Sequence, residues 1–100
     1  MKEIINQIFE IEDKAKRSAI NDFNRNLKRI FHELDAMGFV IKNPIGEKFS
    51  EQRTDIETTI LGELEKDLII TKTMKPIIYK KEEAELTLLQ KGVVIVENKP

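Results

Sequence analysis

Cysteine and tryptophan are absent from this 100-residue sequence, and glycine and proline are scarce, at four and three. Without cysteine the chain can form neither a disulfide nor a thiolate metal site, which points weakly to a reducing compartment. Long apolar runs are also missing, since none approaches the roughly 18 residues that a membrane-spanning helix requires. The opening Met1-Lys2-Glu3-Ile4 lacks the apolar core of a signal peptide. A surplus of one charge is the last absence. Charged side chains make up 35% of the chain but nearly cancel, leaving net −1. Bulk electrostatics therefore give no reason to seek nucleic acid or an anionic membrane. The expectation is a soluble cytoplasmic protein, with no membrane and no nucleic-acid partner.

A chain of this size is one small domain, or a helical scaffold with one small domain attached. It buries only about 60–65% of the surface its unfolded form exposes, so its core is marginal alone. With no disulfide to help, oligomerisation is the remaining common source of extra burial.

The first part of the chain reads as helix. Val, Thr and Pro are all missing from Met1 to Phe39. Apolar residues recur at Ile4, Ile8, Ile11, Ala15, Ala19, Phe23, Leu27, Ile30, Leu34 and Met37, a mean step of about 3.7 residues. Gly38 is a natural helix stop, and Phe39 beyond it can pack back. Residues 2–37 are thus one long helix or two consecutive ones. Ser18–Asp22 is the weak point, where Asn21 or Asp22 could cap a second helix. From Ile20 onward, Ile20, Phe23, Leu27, Ile30, Leu34 and Met37 form an a/d seam of the kind that packs in a coiled coil or four-helix bundle. A parallel homodimer through these six residues is expected, with 1–41 as a helical dimerisation region.

The character then changes, and 42–100 reads as a small β-rich domain. Asn43-Pro44 and Gly46 make 42–50 a loop. Thr54, Ile56, Thr58 and Ile60 alternate with Asp55, Glu57 and Thr59, which favours a strand. A helix over 51–65 capped by Ser50 is the competing reading, because Ile56, Ile60 and Leu64 also fit helical spacing. Gly62–Asp67 reads as a turn. Leu68–Thr71 is a strand bent or stopped at Pro76, and Ile77-Ile78-Tyr79 continues it. Lys80–Glu85 reads as a charged turn. Leu86–Leu89 and Val93–Val96 are the last strands, separated by Gly92. The fold class is α+β: a dimeric helical bundle followed by a small β domain.

Enzymatic chemistry finds no foothold. The single histidine, His32, has too few partners on its helix face for a metal site, and adjacent Glu33 diverges from it. No nucleophile elbow, phosphate loop or dinucleotide fingerprint occurs. Glu82-Glu83 and the Glu63/Glu65 pair lie among lysines and read as solvated turn charges rather than an acid/base pair. No enzyme activity, cofactor, metal or catalytic residue is expected. Lys14, Lys16, Arg17, Arg25, Lys28 and Arg29 are opposed between them only by Asp22. They read as a solvated helix face or a docking surface for an acidic partner. Gly46 and Phe49 read as structural, with Phe49 capping the β-domain core where the chain enters it.

Several segments in order resemble GrpE, the nucleotide exchange factor family of DnaK-type chaperones. That family's short helix typically ends in a Gly-hydrophobic pair, matched by Gly38-Phe39. A Pro-x-Gly-Glu-x-Phe loop follows, matched by Pro44-Ile45-Gly46-Glu47-Lys48-Phe49. Ser50-Glu51 stands where the family has Asp-Pro, and Thr54-Asp55-Ile56 where it has His-Glu-Ala. Near the C-terminus, Tyr79, Leu89 and the run Gly92-Val93-Val94-Ile95-Val96 match the family's Tyr, Leu, small-residue and valine pattern. The hairpin between Tyr79 and Leu89 is longer and more acidic than usual.

The resemblance covers roughly residues 20–97. It implies a homodimeric co-chaperone whose β domain binds the chaperone's ATPase domain, holds the nucleotide cleft open and speeds ADP release. It places the docking surface on the β domain, where Met74, Lys75, Tyr79 and Lys80 flank Pro76. Met74 and Tyr79 are adaptable or amphipathic residues of the kind interfaces favour. A dimeric adaptor of the same fold without exchange activity is the alternative.

Overall fold

A computed structural model describes residues 1–100. The apolar period yields two helices, α1 at Lys2–Arg17 and α2 at Asn24–Ala36. The break falls in the Ser18–Phe23 stretch, the second of the two forms the sequence allowed. The Ile20 N–H donates to the Ala15 carbonyl at 2.9 Å, and that of Ala19 to Lys16 at 3.2 Å. Ala19 takes the left-handed conformation (φ +53°) that this helix ending requires. The second helix starts later than a cap at Asn21 or Asp22 would place it. Phe23 occupies the N-cap position, with no side-chain cap. Asn21 instead accepts a bond from the Asn24 side chain at 3.4 Å, which spends its oxygen within the turn.

Gly38 ends α2 at φ +92°, a conformation that costs glycine little. Phe39 then turns back onto the helices, joining Ile5, Leu34 and Ile78 in a buried cluster. Phe39 also opens strand β1, Phe39–Lys42, so the chain becomes extended before residue 42. The remaining strands are β2 (Ile56–Ile60), β3 (Leu68–Lys75), β4 (Ile77–Glu82), β5 (Glu85–Gln90) and β6 (Gly92–Asn98). The alternation at 54–60 thus resolves as strand. The charged segment at 80–85 is mostly strand too: only Glu83 and Ala84 turn, while Lys80–Glu82 pair with β5. Cross-strand hydrogen bonding here outweighs the polarity of the side chains, which are exposed from Lys81 onward.

The six strands form two three-stranded sheets, ordered β1-β4-β5 and β2-β6-β3. The first is antiparallel throughout. In the second, β6 runs parallel to β2 and antiparallel to β3. The chain passes between sheets three times: through the long 43–55 connection, at buried Pro76 and at Lys91. Proline suits such a corner because it has no N–H to leave unpaired.

Two apolar cores result. Ile56, Leu68, Ile70, Ile77, Val94 and Val96 form the larger, with Phe49, Ile60 and Tyr79 packed on its rim. The smaller lies between the helices and the β1-β4-β5 sheet. Strand alternation lets β4 serve both: Ile77 enters one core and Ile78 the other. A reciprocal amide pair ties α1 to the sheet. Asn6 donates to Gln90 Oε1 at 2.9 Å, and Gln90 donates to Asn6 Oδ1 at 2.8 Å and to the Pro76 carbonyl at 2.8 Å.

Candidate protein-binding face

The β1-β4-β5 sheet is covered on one side by the helices. On its other side, register aligns Val40, Tyr79 and Leu88 in one row across all three strands. Leu86 stands beside this row, opposite Lys81. Tyr79 is half-buried because its ring also rests against the larger core. Leu88 and Leu86 are 38% and 50% exposed. The Lys42 ammonium lies 5.5 Å from the centre of the Tyr79 ring, a cation–π contact that keeps a positive charge beside the apolar row. A partly exposed apolar row, with Val40 and Tyr79 half-buried and Leu88 and Leu86 open, flanked by lysines has the chemistry of a protein-docking surface.

The four residues that sequence reasoning placed at the partner surface are not on one face. Tyr79 belongs to this row. Lys80, its neighbour in β4, points to the helical side, where its ammonium lies 4.4 Å from the Phe39 ring and donates to the Met37 carbonyl. A lysine at a helix C-terminus meets the negative end of the helix dipole, which suits this position. Met74, 44% exposed, lines a groove with Phe9, Asp13 and Arg17 of α1. Lys75 is exposed at the end of β3, in the other sheet. Sequence reasoning missed Leu86 and Leu88 as surface residues. Their alternation about Thr87 showed a strand, but not that the strand would lie at an edge.

The six seam residues also divide. Leu27 and Leu34 are buried within the chain, whereas Ile20, Phe23, Ile30 and Met37 are exposed. Phe23, Ile30 and Met37 recur every seventh residue and form one open stripe along α2. The basic cluster is partly spent on local pairs: Lys14 with Glu10 (3.1 Å), Lys16 with Glu12 (3.7 Å) and Arg17 with Asp13 (3.0 Å). Arg25, Lys28 and Arg29 make no ion pair. A groove of about 410 Å³ opens between the two helices beside Leu27, Lys28 and Phe31.

The loop carrying the Pro44–Phe49 motif is fastened down. Gly46 (φ +85°) donates to the Ile70 carbonyl at 2.7 Å, and the Phe49 N–H to Leu68 at 2.9 Å. Arg53 closes the segment, binding Asp55 through both carboxylate oxygens at 2.9 Å and Glu47 at 2.9 Å. The hydrogen bonds from Arg53 hold the Asp55 carboxyl below the usual carboxylate range, against a smaller opposing effect of burial. The bonds to Asp55 likewise raise the already high pKa of Arg53. No three His, Asp or Glu side chains gather as metal ligands, and His32 is exposed on α2. Neither helix is long and apolar enough to cross a membrane.

Compared with family models, curated proteins and solved structures, the chain matches none of them.

Proposed function

We propose that this chain is a GrpE-like co-chaperone that promotes ADP release from a DnaK-type chaperone by binding its ATPase domain. The observation that carries the proposal is the partly exposed row of Val40, Tyr79 and Leu88, with Leu86, Lys42 and Lys81 beside it, on the side of the sheet away from the helices. The motif order supports it. A helix stopped at Gly38-Phe39 leads into the fastened Pro44–Phe49 loop and then into a small β region. The mechanism requires no catalytic group. A factor that binds the open form of the nucleotide cleft more tightly than the closed form shifts the population toward open, and ADP dissociates from that form. The open stripe of Phe23, Ile30 and Met37 is the surface through which two copies would pair into a helical bundle, with Leu27 and Leu34 supporting it from within.

A second reading rests on α1. This helix is 16 residues long and folds onto the sheet, clamped by the Asn6–Gln90 pair. A factor that uses a long paired helix as a lever lacks that reach when the helix is folded back, so a dimeric adaptor without exchange activity is the alternative.

Release of a fluorescent ADP from a cognate DnaK-type chaperone decides between them. The exchange-factor reading expects the protein to accelerate release at least about tenfold, within the range of ordinary coupling between sites. A Lys42→Glu, Tyr79→Ala double variant of unchanged circular dichroism should lose most of this effect. If the unmutated protein leaves the release rate unchanged, the adaptor reading stands and exchange is refuted.

A further inference from the structure

Two three-stranded sheets leave four outer edges, at β1, β5, β2 and β3, and they are not equally open. The edge of β3 is occupied by the Gly46–Phe49 loop, which exchanges backbone hydrogen bonds with Leu68 and Ile70. The β2 edge presents Glu57, Thr58 and Thr59, all exposed and polar. Strand β1 is only four residues long. Strand β5 differs from all three. It runs six residues, Glu85-Leu86-Thr87-Leu88-Leu89-Gln90, with no lysine or proline to blunt it, and its outer backbone groups pair with nothing in the chain. Such an edge is a template for another strand. Its one irregularity, at Leu89, lies beyond the Leu86–Leu88 centre.

The direction of the free groups follows from the hairpin. Glu82 and Glu85 close a two-residue turn, so that pair exchanges hydrogen bonds, as does the next-but-one pair, Lys80 and Thr87. The N–H and C=O groups of Leu86 and Leu88 therefore point away from β4, toward solvent.

We propose that β5 pairs antiparallel with β5 of a second copy across a two-fold axis at Thr87. In this register Leu86 stands opposite Leu88 of the second copy and exchanges both backbone bonds with it. By symmetry Leu88 does the same with Leu86, so four leucines meet on one face. The charges agree: Glu83 is brought opposite Lys91 of the second copy, and Lys91 opposite Glu83. None of these side chains has an ion-pair partner within its own chain. The product is one continuous sheet of three strands from each copy, with the two Val40-Tyr79-Leu88 rows side by side. This pairing is separate from the helix stripe and does not rest on the chaperone reading.

The test uses the absence of cysteine. Opposite residues in a pair without hydrogen bonds lie about 4.5 Å apart at Cα, within the span of a disulfide. Thr87→Cys should therefore cross-link to a dimer under mild oxidation at least about tenfold faster than Glu51→Cys, an exposed loop control, because only the former sits on the axis. Adding Leu88→Pro, which removes an outward N–H, should return the rate to the control. Adding Leu86→Lys, which leaves the backbone intact, should do the same and covers the case in which the proline variant misfolds. Adding Ile30→Asp, on the helix stripe, should leave the rate unchanged. Cross-linking of Thr87→Cys at the control rate would overturn the proposal. So would a rate indifferent to both β5 changes, a rate abolished by Ile30→Asp, or an unmutated protein that sediments as a monomer under the same conditions.

Discussion

At the scale of single residues, the Arg53–Asp55–Glu47 group decides how the long connection between β1 and β2 is held. Arg53 reaches two carboxylates at once, and a planar guanidinium suits the bidentate contact with Asp55 better than a lysine would. The carboxyl of Asp55 is shifted down by these bonds, so its charged form contributes to stability. That contribution is complete above the ordinary carboxylate value of about 4 and is lost as pH falls through the lower value of the folded state. Asp55→Asn should cost about 1 kcal/mol at neutral pH, the site being partly open to solvent. It should also flatten the fall in stability below about pH 4. Urea unfolding of both proteins at neutral and acid pH measures the two effects. Equal acid sensitivity in parent and variant would show that Asp55 is not the group responsible.

At the scale of elements, the α1 ending stands out because alanine occupies the left-handed position. Glycine pays no side-chain clash there but loses more freedom on folding, so Ala19→Gly should stabilise by about 0.5–1 kcal/mol. The readout is a higher urea midpoint at unchanged slope. The C-terminal end of α2 and most strands were legible because their causes are local. Gly38 followed by Phe39 carries its own stop, and Ile56-Glu57-Thr58-Thr59-Ile60 carries a period of two with β-branched residues. What was not legible depends on distant pairing. Leu27 and Ile30 share one periodic seam, yet one is buried by its own chain and the other is open. The helical period cannot tell these apart, since it records only that a face is apolar. Met74 and Tyr79 lie five residues apart but enter different sheets at Pro76, so the surface read from their proximity is divided. Leu86 and Leu88 became exposed because β6 left for the other sheet at Lys91 instead of continuing beside β5.

At the scale of the whole molecule, a helical region followed by a β region suggests two independent bodies joined by a flexible segment. Strand β4 prevents this. Ile77 is 1% exposed in one core and Ile78 is fully buried in the other; they are consecutive residues on one central strand. Any opening that strips the helices from the sheet uncovers Ile78 and loosens the strand that also holds Ile77. The two halves should therefore unfold together, and the slowest-exchanging amide protons should belong to β4 and β6, the central strands of the two sheets. Hydrogen exchange followed against denaturant should return for β4 the full free energy of global unfolding. If β4 instead exchanged together with α2, well ahead of β6, the halves would be separate. If they are joined in this way, a partner that grips the helical half should slow amide exchange in the far sheet without any part having to swing.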